Sequence, residues 1–295
     1  MYGALPYVSL TSLDARSART APALRHIART PDATRTVILS TPHPTTDPHR
    51  FMAEADASRY LLGSWVLPAV ELAGPGQGAW HASPYVPVLP LPTALGVLGG
   101  PLPERTVRAL AVALAETLSV IHGQSLTHAG VSPAAVLLAH DGPRLTGFGA
   151  VRAAAPDGVE RRGLVGVDAS VLAPEQASGG MPRPLGDVYA LGATLAYAAT
   201  GSTMPERDEL PSWLRPTVAR CLSRDPAQRP QLAEVVQELA PGPGHGGDAG
   251  FGVPEQAAAL LGPGWLPARL IAALAHQAAA VLRAETPATA HVLTR

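Results

Sequence analysis

"LTHAGVSPAAVLLAHDGPRLTGFGA", residues 126–150, is the stretch whose reading decides the fold. Two short apolar runs flank the HDGP turn at 140–143, where Asp141 supplies turn chemistry. Glycine stands at 130, 147 and 149, and alanine at 129, 134 and 135. No Asp or Glu lies between Glu116 and Asp141, so the segment has no carboxylate of its own until the turn. The chain as a whole adds two absences. Its 22 arginines account for the whole Lys+Arg total of 22, so it has no lysine, and it has no asparagine either.

With 295 residues, 46% of them hydrophobic, the chain can bury a substantial core in one large domain or two lobes. A net charge of −1 offers no long-range field for nucleic acid or an anionic membrane. Gly and Pro number 29 and 31, which predicts many loops. The single Cys221 excludes an internal disulfide, fits a reducing compartment and is expected to be a buried packing residue. The N-terminus lacks the basic and apolar regions of a signal peptide. No stretch of about 18 uncharged apolar residues predicts a membrane span. A cytoplasmic location is expected.

The first 50 residues carry one clear strand signal, "RTVILS". "DPHRFMAEADASRYLLG" predicts a helix capped by Asp47, with Phe51, Met52, Ala55 and Tyr60 at helical spacing. "WVLPAVEL" and "AWHASPYVPVL" read as strands split by the turn "AGPGQG". From "LPERTVRALAVALAETLSVIHG" onward the pattern is helical, with Leu110, Leu114, Leu118 and Ile121 on one stripe. "LGDVYALGATLAYAATG" is apolar on nearly every face and predicts a buried helix. "LRPTVARCLSRDPAQRPQLAEVVQELA" reads as two helices broken at Asp225–Pro226. "PGPGHGGDAGFG" is a flexible linker at 241–252. The amphipathic "GWLPARLIAALAHQAAAVLRAE" beyond it either docks on the domain or meets a partner or membrane surface.

A strand-rich part, a hinge and a helical part in this order, with these motifs, resemble the bacterial (actinobacterial-type) Ser/Thr protein kinase family over about residues 30–240. "LTHAGVSPAAVLL" sits at the His-Arg-Asp catalytic loop, "GFG" at Asp-Phe-Gly, and "APE" at 173–175 is intact. "GDVYALGATLAYAATG" resembles the family's buried helix with its Asp187, and "RDPAQRP" the segment whose Arg229 pairs with Glu175. The resemblance implies an α+β, two-lobed protein-kinase-like fold. Its divisions are a degenerate small lobe at 1–86, a helical lobe at 87–240, the linker at 241–252 and a helical tail at 253–295.

The same resemblance implies a degenerate site. The strand lysine matches Leu39, the catalytic Asp Gly130, the catalytic-loop lysine Ser132, the metal-binding Asn Ala135 and the metal-binding Asp Gly147. Phosphoryl transfer needs positioned charge and Mg²⁺, and Mg²⁺ needs oxygen ligands. A register slip rescues nothing, because there is no Lys or Asn to slip into place. Residues 7–30 contain no glycine, so the phosphate-cradling loop is missing too. Arg25, Arg29 and Arg35 are expected to be solvated rather than to reach a phosphate.

His128 and Phe148 match residues of the family's internal spine, and Glu54 the helix glutamate that has lost its lysine. Glu54 is either solvated or paired with an arginine from another position. Between Gly147 and Glu175 the only hydroxyl is Ser170, and the family's threonine position falls at about Asp168, so activation by phosphorylation there is not expected. His81, His122 and His140 have no metal-ligand spacing. The expectation is a catalytically inactive pseudokinase with no cofactor, acting as scaffold or allosteric regulator of an active kinase or other signalling protein. Two alternatives stay open: a kinase with residual or unorthodox ATP-dependent activity, and a sensor binding nucleotide without metal at a hinge of Ser83, Tyr85 and Val86.

Overall fold

The computed structural model describes residues 5–240 and 256–284. The linker expected at 241–252 lies outside the described residues. The small lobe is a five-stranded antiparallel sheet ordered β1 (Val8–Ser12), β2 (Leu24–Arg29), β3 (Thr36–Thr41), β5 (His81–Pro84), β4 (Glu71–Leu72). Helix α1 (Pro48–Ser58) follows β3, and the Asp47 carboxylate accepts from the His49 and Arg50 amides as its N-cap. Phe51 and Ala55 are buried as the spacing predicted, but Tyr60 lies past the helix and is 68% exposed.

Two expectations about this lobe need correcting. The first 50 residues form three strands, not one. β2 was hidden because "LRHIAR" carries two arginines that patterning assigns to the surface, whereas internal partners bury both, and β1, "VSLTS", was hidden because it has no fully buried residue to mark a face. The run "WVLPAV" forms no strand; only an isolated bridge of Val66 with Leu145 and the short β4 arise from that region.

The large lobe begins with β6 (Leu89–Pro90) and α2 (Leu91–Leu98), then the 20-residue α3 (Glu104–Gly123). Leu110, Leu114, Leu118 and Ile121 of α3 are fully buried, each a side chain whose removal from water stabilises by roughly 1.5–3 kcal/mol. By length and composition α3 could cross a membrane, but two-thirds of that window is buried in this lobe. The segment 126–150 forms a 3₁₀ turn at Pro133–Ala135, the hairpin β7 (Val136–Ala139) and β8 (Gly142–Leu145), and the start of α4 (Ala150–Ala154). α5 (Pro174–Ala177), the buried α6 (Pro184–Thr200), α7 (Arg215–Cys221) and α8 (Leu232–Leu239) complete the lobe, with a 3₁₀ turn at Pro226–Gln228 where the break was expected. Cys221 is buried beneath α6, and burial pushes its thiol up to about 12.

The tail docks on the body. α9 (Gln256–Leu260) packs along α3, and α10 (Ala268–Arg283) crosses α2 and reaches the small lobe. Trp265 between them is buried, with its indole N–H donating to the His140 carbonyl at 2.7 Å.

Candidate functional site

The cleft between the lobes is built by alternation along β3. Val37 and Leu39 pack with Tyr7, Ala28, Trp80 and Ala82 on the outer face of the sheet. Ile38 packs on the opposite face with Ile27, and Ser40 lines the cleft with Arg25. Leu39, taken as the lysine position, therefore points away from the cleft. The residue facing it is Ser40, one step along, because side chains switch faces at every residue of a strand. A serine hydroxyl carries no charge to set against a phosphate.

The cation in the cleft comes from β2. Arg25 is 2% exposed, and its Nε donates to Asp14 Oδ2 at 2.9 Å while Nη2 meets Asp14 Oδ1. Nη1 donates to Thr146 Oγ1 at 2.9 Å and Nη2 to the Ala134 carbonyl at 2.7 Å. A guanidinium is tolerated inside a protein only when paired and hydrogen-bonded, and this one makes four hydrogen bonds, two of them to a carboxylate. It also ties the small lobe to the 3₁₀ turn of the large one. The expectation that Arg25 and Arg29 are solvated is thus wrong; Arg29 is 8% exposed. Arg35 does stay at the surface, half exposed, against Glu71 and Tyr7.

The loop after Asp14 folds down over the cleft where a glycine loop would arch above phosphates. The Arg19 carbonyl accepts from the Gly166 amide at 2.9 Å, and the Ala21 carbonyl meets His43 Nε2 at 2.8 Å. Pro22 then lies on Gly147, whose φ is +75°. A Cβ at 147 would stand 2.8 Å from the proline Cβ.

The expected acid positions are filled from within. A Cβ at Gly130 would meet the Gly147 carbonyl oxygen at 1.9 Å, so an aspartate has no room there. That carbonyl accepts from the Ala150 amide as the chain coils into α4. The Ser132 hydroxyl accepts from the Ala135 amide at 3.2 Å and caps the turn. Ala135 is fully buried, its carbonyl taken by the Thr146 amide and hydroxyl. Among the described residues no group of three or more His, Cys, Asp or Glu is placed to hold a metal. The ATP and Mg²⁺ that the fold implies do not fit these residues.

Glu54 points into the same region and finds an arginine from elsewhere. Arg152, on α4, meets it with Nε to Oε1 at 2.7 Å and Nη2 to Oε2 at 2.6 Å, and also donates to the Thr127 carbonyl. Its guanidinium lies 4.9 Å from the Phe148 ring centroid. Gly149 has φ +72°, and a Cβ there would collide with Glu54. Phe148 stands edge-on to His128 at 5.7 Å. His128 is fully buried, neither ring nitrogen has a partner among the described residues, and burial pulls its pKa down to about 4. His81, beside the ring of Phe51, is likewise pulled down to about 4 by burial.

Two pairings hold the large lobe together. Asp187 Oδ2 accepts from the His128 amide and Oδ1 from the Ala129 amide, each at 2.8 Å. His122 Nε2 also reaches Oδ2 at 2.9 Å, a partner the sequence did not suggest. Arg229 grips Glu175 in bidentate fashion at 2.6 and 2.9 Å. Ser170 is half-buried and accepts from the Thr203 hydroxyl.

At the hinge, roof and floor have met. Leu13, Ile27 and Ile38 from the small lobe, Leu137 and Ala139 from β7 and Val281 from α10 form one buried cluster, with Tyr85 and Val86 packed against it. Ser83 instead lines a cavity beneath α1 bounded by Ser40, Glu54, His81 and Thr146. That cavity measures about 50 Å³, against roughly 300–1,000 Å³ for a small-molecule site. Asp14, Arg25, Arg152 and the tail's Val281 went unrecognised as cleft residues. A buried arginine in β2 had one signal, the alternation of "LRHIAR"; Arg152 had none.

A two-lobed body with these pairings defines the class as the protein-kinase fold. The kinase domain of Mycobacterium tuberculosis PknI, solved as a cysteine-to-alanine mutant, matches it with a TM-score of 0.60 and 24% identity, over 80% of this chain and 96% of that one. In sequence, the probable serine/threonine-protein kinase PkwA of Thermomonospora curvata is 32% identical over 208 residues, 65% of this chain and 28% of that protein. The serine/threonine-protein kinase AfsK of Streptomyces coelicolor is 30% identical over 235 residues, 72% of this chain and 29% of its own length. No family model matches the chain. By homology the chain belongs with the actinobacterial Ser/Thr protein kinases, and it spans less than a third of the length of these two curated relatives.

Proposed function

We propose that this chain is a pseudokinase: a kinase-fold protein that transfers no phosphate and acts by binding, as a scaffold or allosteric regulator of an active kinase or other signalling protein. One observation carries the reading. The Gly147 carbonyl oxygen fills the space where the side chain of a catalytic acid would begin at 130. Phosphoryl transfer in this fold depends on placed acids, metal and cations. Here Arg25, a buried cleft cation, is engaged by Asp14, Thr146 and Ala134, and Arg152 by Glu54. A cytoplasmic setting fits the lone buried thiol of Cys221.

The names of the relatives favour a second reading, a Ser/Thr kinase with residual or unorthodox activity. Radiolabel transfer from γ-labelled ATP to a generic basic substrate, with Mg²⁺ or Mn²⁺, separates the two. The binding reading expects no label above a no-protein control, in the substrate or in the chain itself. Metal-dependent labelling that scales with protein concentration establishes the kinase reading instead.

A further inference from the structure

We propose that the channel between β1 and α2 is a docking groove for the amphipathic helix of a partner protein, which α10 occupies in cis in this structure. The inference rests on the binding reading above and names the surface and the kind of partner. α10 lays a stripe of Leu270, Leu274 and Val281 against the body, at the i, i+4 and i+11 spacing of one helix face. Between them Gln277 is read by main chain. Its Oε1 accepts from the Val88 amide at 2.9 Å and its Nε2 donates to the Val88 carbonyl at 2.8 Å. Arg29 of β2 closes the far end by donating to the carbonyls of Val281 and Ala284, the latter at 2.8 Å. Last-turn carbonyls lack the i+4 donor of the helix interior, and that of Val281 has otherwise only the Ala284 amide at 3.3 Å, so an arginine at this place recognises a helix C-terminus as such.

The seat fits its present occupant imperfectly. Beside α10 lies a groove of about 360 Å³ whose apolar part includes Leu10, Leu13 and Leu89 on the body and Ala280 and Ala284 on the helix, with Ser12 and Arg16 at its polar side. Among the described residues the two alanines leave the apolar part of this wall uncovered, and apolar surface without contacts forfeits packing energy. A helix that keeps the glutamine and carries larger apolar side chains at those two places would fill it. The segment leading into α10 is anchored separately, through the buried Trp265 and the Thr106 hydroxyl on its carbonyl at 2.6 Å. α10 can therefore swing out at Pro267 with that anchor intact.

The test uses the full chain and a labelled peptide of residues 265–284 carrying Ala280→Leu and Ala284→Leu. In a Val281→Asp chain, whose own helix is released, the Val88 amide should exchange with solvent at least tenfold faster than in wild type. The peptide should bind that chain at least tenfold tighter than wild type and restore the protection. A chain with Ile271→Ala, an exposed position on α10, should behave as wild type. Equal binding to both chains, no binding, or unchanged Val88 exchange overturns the proposal. If Val281→Asp shows no cooperative melt, Gln277→Ala takes its place under the same criteria. Dimers of the variant exchanging α10 with wild type, seen by size-exclusion, overturn the partner assignment in favour of a second copy. No nucleotide enters the experiment, so its outcome is independent of the phosphoryl-transfer assay.

Discussion

A methyl group at position 130 would lie 1.9 Å from the Gly147 carbonyl oxygen and 3.2 Å from the Ala150 Cβ. Overpacking of this kind typically costs about 1–3 kcal/mol, and here the obstacle is backbone, which yields less than a side chain. Gly130→Ala should therefore lower stability by at least about 2 kcal/mol in chemical denaturation. Gly123→Ala, which meets nothing within 4 Å, should be neutral. Equal stability of the two variants would mean that the cleft is open at 130. Two desolvated histidines, His128 fully buried and His81 partly so, give a pH signature. His128 and His81, ordinarily near 6.5, sit at about 4 because burial disfavours their charged forms. The unfolded chain thus binds more protons between these values. The full contribution is present above pH 6.5 and is lost as pH falls toward 4, on the order of 3 kcal/mol for the fully buried His128, with partly exposed His81 acting in the same direction and contributing less. Melting curves should show this decline, and His128→Phe should remove part of it.

At the scale of elements, α1 and α4 are locked by Glu54 and Arg152, both partly buried. Removing one partner leaves the other charge without compensation, so Glu54→Gln and Arg152→Met should each cost about 1–3 kcal/mol. The double variant should cost clearly less than the sum, with a coupling of at least about 1 kcal/mol. Additive effects in that cycle would show the pair to be incidental. The helices of the large lobe were legible because their apolar residues repeat at helical spacing, on one stripe in α3 and on nearly every face in the buried α6. Asp47 announced α1 by its capping chemistry. β2 was not legible, since burial of Arg25 and Arg29 is decided by Asp14, eleven positions away, and by Thr146 and the end of α10, which are far more distant in sequence. Leu39 and Ser40 were confused for a related reason. A β-branched and apolar run buried on both faces gives no alternation from which to read parity.

For the whole molecule, the motifs from 126 to 229 revealed the fold, and the missing Lys and Asn revealed which side chains a kinase site would lack. Neither told what fills their place. The loop from Asp14 to Pro22 lies on Gly147, roof and floor share one cluster, and Val281 of the tail completes it. These contacts join residues dozens to hundreds of positions apart, so no local pattern encodes them. Together they account for a cleft whose roof and floor are in contact. The most direct test is thermal unfolding of the full chain in millimolar ATP, with and without Mg²⁺. A ligand present at about 100 times its Kd would stabilise by about 2.7 kcal/mol, an easily measured shift in Tm. A closed cleft predicts no shift in either condition; a Mg²⁺-dependent rise in Tm would contradict it.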